Sequence, residues 1–240
     1  VASSSITHAT PGAFIAHVQS RDDAESIALD FLKTPVDIFI GGGLDYFSRR
    51  KSDDRDLTEE LTAKGYQITN FVNQDISSLD IRTTKNIGYF TANGEPLPVS
   101  AGRDYLIPAA NKAIDFLDER SPNGFFIMIE GSQIDWGGHA NDANYVVSEM
   151  HEFEKIVAAA LDFAARDKNT LVIVTGDHET GGFAVQPGSK LNDIKVAFTT
   201  KSHTAIMIPV FAEGPGAEAF RGIYENTAIF DKIKAALDLN

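Results

Sequence analysis

Residues 124–139, GFFIMIEGSQIDWGGH, combine one apolar run with three side chains that can bind a metal ion. The run Phe125 to Ile129 has the length and composition of a strand buried on both faces. It stops at Glu130, and Asp135 and His139 follow after a glycine-containing turn. Ligands bind open α/β sheets at the carboxyl ends of strands, so this junction is the expected place for a functional site.

Asp135 and His139 are four residues apart, which places them one turn apart on one face of a helix. A carboxylate oxygen and an imidazole nitrogen placed in this way can share one zinc ion. A single pair with this spacing often arises by chance. The competing interpretation is that Glu130 and Asp135 cap turns and that His139 is an ordinary loop residue.

The segment TLVIVTGDHETGG, residues 170–182, repeats the arrangement of a strand followed by ligands. A predicted buried strand, Leu171 to Val174, leads to Asp177 and His178. A third imidazole, His203, stands just ahead of another apolar run. Buried carboxylates need a partner or a metal, so two strands that end in such clusters favour a metal centre over core packing.

The composition indicates a globular chain whose partners are neither nucleic acid nor membrane. It has 240 residues, of which 43% are hydrophobic, enough for one sizeable core. The formal net charge is -13, and no basic tract is present to bind nucleic acid or anionic lipid. The absence of cysteine excludes disulfides and thiolate metal sites. No apolar run approaches the length of a membrane span.

Strands that alternate with helices predict one α/β domain over residues 1–240 with a mainly parallel sheet. The predicted strands are 36–40, 66–71, 86–91, 125–129, 171–174 and 205–211. The predicted helices are 22–32, 57–64, 108–120, 141–167 and 226–237, and Thr10 is predicted to cap a further helix that begins at Pro11. The glycines at 41–43 predict a tight turn, and the charged run at 49–56 predicts a solvated loop.

Five blocks of the sequence resemble the alkaline phosphatase family, in the order in which that family has them. They are THATP, AHVQSR, MIEGSQIDWGGH, TGDHETGG and SHTAIMIPVFAEGPGA. The resemblance covers nearly the whole chain, and DHETGG after a strand is highly specific. It implies a layered α/β sandwich with a mainly parallel central sheet flanked by helices. It also implies a phosphate monoester hydrolase with two zinc ions and one magnesium ion.

The resemblance implies metal ligands at particular positions of this chain. They are Asp135, His139 and His203 for the first zinc, Asp177 and His178 for part of the second, and Thr10 and Glu130 for magnesium. Arg21 matches the arginine that binds the substrate phosphate, a role that suits a guanidinium because it can bond two oxygens at once.

Two positions near the substrate differ from those of some family members. His8 and Trp136 stand where those members have a carboxylate and a lysine, and other members share this variation. A neutral imidazole attracts a hydrated cation less than a carboxylate does, so we expect a weaker magnesium site. His17 and His151, which belong to no motif, are expected to be structural or solvated.

The family's nucleophilic serine lies on the N-terminal side of the THATP block. Ser3, Ser4 and Ser5 are poor substitutes, because they lie on the segment that leads into the block without a helix N-terminus behind them. We therefore expect this sequence to be the C-terminal part of an alkaline phosphatase, truncated at the N-terminus. Alone, it should have no turnover, one complete zinc site and about one bound zinc ion.

The intact protein is expected to hydrolyse small phosphate monoesters to inorganic phosphate through a phosphoserine intermediate. Two alternatives remain open, a related metal-dependent phosphodiesterase or phosphomutase and a zinc-binding module without catalysis. The resemblance also implies a periplasmic or extracellular location and leaves a homodimer as a possible assembly.

Overall fold

The computed structural model describes residues 1–239, which form two compact units. The first unit is Val1–Gln133, and the second begins at Ile134. Within the described residues no helix is long and apolar enough to cross a membrane. The prediction of a single domain stays a prediction, and each unit is described by itself.

The first unit is built on a parallel sheet. Its strands are β1 (Ile38–Gly41), β2 (Tyr66–Asn70) and β3 (Asn86–Phe90), with β3 between the other two. The N-terminal segment adds to the edge of β1, since the Ala2 N–H donates to the Ile40 carbonyl at 3.0 Å. The Glu130 N–H in turn donates to the Val1 carbonyl at 2.9 Å. The sheet therefore gathers several carboxyl ends at one edge.

Helices cover both faces of this sheet. The helices of the first unit are α1 (Ala9–Ala13), α2 (Ala24–Asp30), α3 (Asp45–Ser48), α4 (Leu57–Ala63) and α5 (Leu106–Arg120). Phe39 packs with residues of α2, α3 and α4, whereas its neighbours Ile38 and Ile40 pack with residues of α5. This division follows from the strand, because successive side chains point to opposite faces. The predicted layered α/β fold with a parallel sheet flanked by helices is confirmed.

The second unit contains a long helix and short antiparallel strand pairs. Its helices are α6 (Gln133–Ala140), α7 (Ala143–Asp167) and α8 (Ala228–Ala236), of which α6 starts at the last residue of the first unit. Its strands are β4 (Val172–Thr175), β5 (Glu179–Thr180), β6 (Ala184–Val185), β7 (Val196–Ala197), β8 (His203–Thr204) and β9 (Val210–Glu213). The pairs are β4 with β9, β5 with β8 and β6 with β7, all antiparallel.

Two predicted buried strands are more open than expected. Residues 125–129 form no regular strand, and Phe126 is 46% exposed. Hydrogen bonds in this stretch go to the Val1–Ser3 segment, on one side. Strand β4 is half-buried along most of its length, since its described ladder is to β9 alone. The prediction of burial on both faces was therefore wrong for these two runs.

Two further predictions need correction. The first helix begins at Ala9 with His8 at the N-cap, so Thr10 lies inside the helix instead of capping it. The charged run at 49–56 is irregular, as expected, but the Arg50 side chain is only 1% exposed. Its guanidinium is enclosed because it bonds carbonyl oxygens of Glu25 and Tyr46, at 2.8 and 3.1 Å. This arginine is part of the fold.

Candidate metal centre

Helix α6 presents two of the predicted zinc ligands on one face. Asp135 lies in its first turn and His139 in its last turn. The Nε2 atom of His139 is 3.4 Å from Oδ2 of Asp135. Asp135 and His139 therefore lie side by side, as their four-residue spacing predicted, since side chains at i and i+4 meet on a helix surface.

The third predicted ligand, His203, comes from strand β8. Its Nε2 atom lies 3.2 Å from Nε2 of His139 and 3.6 Å from Oδ1 of Asp135. Strand β8 pairs with β5 so that His203 stands opposite Thr180. Each of the three residues offers one ligand atom, and these atoms all lie within 4.8 Å of one another. Among residues 1–239, no other three His, Asp or Glu side chains bring their ligand atoms this close together.

The distances between these ligand atoms match a tetrahedral zinc site. Zinc binds imidazole nitrogen and carboxylate oxygen at about 2.0–2.2 Å, so neighbouring ligands of a tetrahedron are about 3.3–3.5 Å apart. The closest separations are near this value: 3.2 Å between the two imidazole nitrogens, 3.4 Å from His139 to Oδ2 of Asp135 and 3.6 Å from His203 to Oδ1 of Asp135. One carboxylate and two imidazoles also leave the fourth position open, as catalytic zinc sites do. The donors therefore fit the ion that the resemblance implies.

A backbone carbonyl orients one of the imidazoles. The Nδ1 atom of His139 lies 2.7 Å from the Lys201 carbonyl oxygen, which accepts its N–H. That bond fixes the tautomer and leaves the lone pair of Nε2 available on the side of Asp135 and His203. No local sequence pattern predicts this contact, because it links residues that are 62 positions apart.

Thr180 connects the two predicted zinc sites. Its hydroxyl donates to Oδ1 of Asp135 and lies 3.2 Å from Nδ1 of His178. Hydrogen bonds from outside the ligand set hold metal-binding side chains in their orientation. Thr180 is thus a positioning residue that the sequence analysis missed, although it belongs to the quoted TGDHETGG block.

Glycines permit the close approach of α6 to the strands. A Cβ atom on Gly138 would lie 2.7 Å from the Thr180 carbonyl oxygen, and one on Gly137 would lie 2.8 Å from the Val146 nitrogen. Such contacts are too short for any side chain at either position. The two glycines between Asp135 and His139 therefore have a packing reason that is independent of the metal.

The predicted ligands of the second zinc lie beside the first site. The His178 ring stacks on the His203 ring, with 3.5 Å between centroids and 18° between planes. Oδ2 of Asp177 is 3.2 Å from Nε2 of His178, and Asp177 is exposed. The imidazoles of His139, His178 and His203 and the carboxylates of Asp135 and Asp177 are therefore close together in the second unit.

Glu179, which directly follows these ligands in the sequence, has a structural function. Burial acts to raise the pKa of Glu179, but hydrogen bonds from the Thr204 hydroxyl and from the N–H groups of Phe183 and Gly182 outweigh it. The pKa of Glu179 is therefore lowered. A carboxylate that accepts several N–H bonds holds the glycine turn after β5 in place.

The predicted magnesium ligands belong to the first unit. Glu130 is half-buried, and its Oε2 accepts from the Ser132 hydroxyl at 2.6 Å and from the Ser4 hydroxyl at 3.5 Å. Thr10 is half-buried on α1. A carboxylate and hydroxyl groups are the oxygen donors that magnesium prefers, so the donor chemistry fits this ion.

The remaining candidate residues differ in exposure. Arg21 is exposed in the turn before α2, whereas His8 and Trp136 are half-buried. Three serines near the N-terminus, Ser3, Ser4 and Ser5, are at most 1% exposed. A buried hydroxyl cannot reach a dissolved phosphate ester, which agrees with their expected unsuitability as nucleophiles.

The sequence and the fold both match proteins of known activity. A family model described as alkaline phosphatase matches residues 1–196. Alkaline phosphatase 3 of Bacillus subtilis (strain 168) is 31% identical, over 100% of this chain and 68% of that protein. Alkaline phosphatase 4 of the same bacterium is 32% identical, over 95% of this chain and 64% of that protein. The chain spans about two thirds of the length of these relatives.

Solved structures show the same similarity. The alkaline phosphatase from the Antarctic bacterium TAB5 is 44% identical with a TM-score of 0.92, over 100% of this chain and 71% of that chain. A mutant of that enzyme, with glutamate in place of a histidine, has Mg bound in its M3 site and matches with the same TM-score of 0.92.

Proposed function

This chain belongs to the alkaline phosphatase family, whose members are phosphate monoester hydrolases, and we propose that it carries the zinc-binding part of such an enzyme. The observation that carries the proposal is the convergence of Asp135, His139 and His203 at zinc-like separations. The substrates would be small phosphate monoesters, and inorganic phosphate would be the product.

We propose two zinc ions and one magnesium ion in the intact protein. Their ligands would be Asp135, His139 and His203 for the first zinc, Asp177 and His178 for the second, and Thr10 and Glu130 for magnesium. When bound, such ions would polarise phosphoryl oxygens and lower the pKa of a bound water. The second zinc and magnesium would bind more weakly than the first zinc, since two residues are assigned to each of them and three to the first zinc.

The protein's own groups would hold the phosphate and the ligands in position. Arg21 would bond two phosphate oxygens through its planar guanidinium, and it is exposed and so free to meet a solute. The Lys201 carbonyl holds His139 as the Nδ1–H tautomer, and Thr180 holds Asp135. Orientation of this kind removes the cost of rearranging ligands when charge develops on phosphate.

The cellular location and the nucleophile follow from the family alone. We propose a periplasmic or extracellular location. The nucleophile would be a serine other than Ser3, Ser4 and Ser5, because these three side chains are at most 1% exposed. Replacement of all three by alanine should therefore leave any metal-dependent hydrolysis of 4-nitrophenyl phosphate unchanged, and loss of that hydrolysis in the triple variant would contradict this assignment.

Binding of inorganic phosphate to the zinc-loaded chain tests the proposed function. Calorimetry should show binding with zinc present, none after chelation, and none in the His203→Ala variant. The matched control is His151→Ala, which removes an exposed histidine on α7 whose contact is Glu154. Phosphate binding that is equal with and without zinc would contradict the proposal, and sulfate serves as the control anion.

A further inference from the structure

Glu95 places a second carboxylate at the carboxyl end of the parallel sheet in the first unit. Its Oε2 accepts a hydrogen bond from the Ser5 backbone N–H at 2.6 Å. The preceding residue, Ser4, directs its hydroxyl to Oε2 of Glu130 at 3.5 Å. Two carboxylates from different loops therefore approach one short segment of chain. Glu95 belongs to none of the sequence motifs described above.

Glycine packing fixes the loop on the N-terminal side of Glu95. The Gly43 N–H donates to the Gly94 carbonyl at 2.8 Å. A Cβ atom on Gly42 would lie 2.3 Å from the same carbonyl oxygen, so only glycine allows this approach. The predicted tight turn at 41–43 was wrong, since Gly41 ends β1 and Gly42 pairs with Ser5, but Gly42 and Gly43 hold the residue before Glu95 in place.

A buried amide fixes the loop on the C-terminal side of Glu95. The Nε2 atom of Gln133 donates to the Pro96 carbonyl at 3.0 Å and to the Ser3 carbonyl at 2.7 Å. Gln133 is fully buried, at 0% exposure. The residues on both sides of Glu95 are therefore anchored, and a carboxylate held in this way is preorganised for a ligand.

The charges around Glu95 favour a cation. Glu95 stays open to solvent as a residue, yet burial of its carboxylate raises the pKa, and the nearby charge of Glu130 raises it further. The Ser5 N–H and the His8 imidazole act in the opposite direction. Two carboxylates that disfavour each other's ionised form are stabilised together by a divalent ion.

We propose that Glu95 is a second carboxylate of the magnesium site, bound directly or through a water, and that it replaces the charge missing at His8. The inference rests on the proposed function, because that function supplies the magnesium ion. Magnesium keeps several waters and binds proteins through one or two carboxylates. A half-buried Glu130 and a solvent-exposed Glu95 agree with this kind of site. The expected weakness of the site is thereby offset within this chain.

Titration with Mn²⁺ as the probe tests the role of Glu95. Electron paramagnetic resonance would follow Mn²⁺ binding to the zinc-loaded 240-residue chain, with Mg²⁺ as the competitor. The Glu95→Gln variant should bind Mn²⁺ about 10- to 100-fold more weakly, the scale of losing a supporting group at a metal site. The matched control, Glu119→Gln, alters an exposed glutamate on α5 and should bind as the unaltered chain does.

Two further variants separate the possible outcomes. Glu130→Gln should abolish Mn²⁺ binding. Adding His8→Asp to the Glu95→Gln variant should restore the Mn²⁺ affinity that Glu95→Gln loses, which a purely structural role for Glu95 would not allow. Zinc stoichiometry, expected to be the same in all variants, reports that the chain is folded. Unchanged Mn²⁺ affinity in Glu95→Gln together with loss in Glu130→Gln would overturn the role of Glu95 and leave the magnesium site. Unchanged affinity in both would overturn the proposed magnesium site as well.

Discussion

The Nε2 atoms of His139 and His203 lie 3.2 Å apart, although the two residues are separated by 64 positions in the chain. One comes from the last turn of α6 and the other from a two-residue strand. Without a metal, an Nε2–H of neutral His203 can donate to the Nε2 lone pair of His139, whereas two protonated imidazoles would repel each other. The distance is that of two ligands on one metal ion.

We expect the chain to bind about one equivalent of zinc with high affinity. The His203→Ala variant should lose at least about 100-fold in affinity, because losing a ligand costs more than losing a group that orients one. The His151→Ala variant should bind as the unaltered chain does, since His151 is exposed on α7. Calorimetric titration at neutral pH measures both. Equal effects of the two substitutions would mean that the three ligands do not act together.

Replacing Thr180 by valine should weaken zinc binding while leaving the fold intact. The substitution keeps the β-branched shape and removes the hydroxyl that bonds Asp135. We expect affinity to fall by about 10-fold, the low end for groups that orient metal ligands. The control is Thr175→Val, which removes an exposed hydroxyl that bonds the Gly176 and Pro209 carbonyls. Zinc competition against a chromogenic chelator would show the difference, and equal affinity in the two variants would exclude the positioning role.

Local sequence patterns predicted the parts of this site that depend on neighbouring residues. The placement of Asp135 and His139 follows from helical spacing, and β2 and β3 lie within one residue of their predicted ranges. The Thr180 and Lys201 contacts lie 45 and 62 residues from their partners. They arise from the pairing of β5 with β8, which no local pattern specifies.

The burial of side chains was the least predictable property, because it too depends on contacts between residues far apart in the sequence. The apolar runs at 125–129 and 171–174 have the composition of interior strands, but exposure depends on how many neighbouring strands cover them. On α7, Val146 and Ile156 are buried, whereas Val147 and Met150 are 44% and 48% exposed. Hydrophobic periodicity predicts which face of a helix is buried. How wide the buried face is depends on the elements that pack against it.

Two arginines of the charged run at 49–56 should differ in their effect on stability. The Arg50 side chain is 1% exposed and bonds two backbone carbonyls as well as Asp53, whereas Arg55 forms an exposed pair with Glu60. Arg50→Ala would leave partly buried acceptors without a donor, and we expect a loss of about 1–3 kcal/mol. Arg55→Ala should change little, because exposed ion pairs are screened by solvent. Urea unfolding followed by circular dichroism compares them, and equal midpoints would mean that Arg50 is not anchored as described.

The stability of the first unit should fall in acid partly through Glu25. A hydrogen bond from the Ser52 side chain is the largest cause that lowers the pKa of Glu25 below its ordinary value of 4.5. Burial opposes this shift, and the Lys51 and Ser52 N–H groups, at 2.7 and 2.8 Å, add to it. A lowered pKa in the folded state means that the stabilisation is present above pH 4.5 and is lost as the pH falls through the folded value.

The Glu25→Gln variant, which cannot ionise at this position, should therefore be less stable than the unaltered chain at neutral pH and about equally stable in strong acid. Thermal unfolding measured at intervals from neutral pH to about pH 3, with a chelator present to remove metal, gives the difference in Tm at each pH. That difference should shrink steadily below the ordinary pKa of 4.5. A difference that stays constant over the whole range would show that the contacts of Glu25 do not depend on its charge.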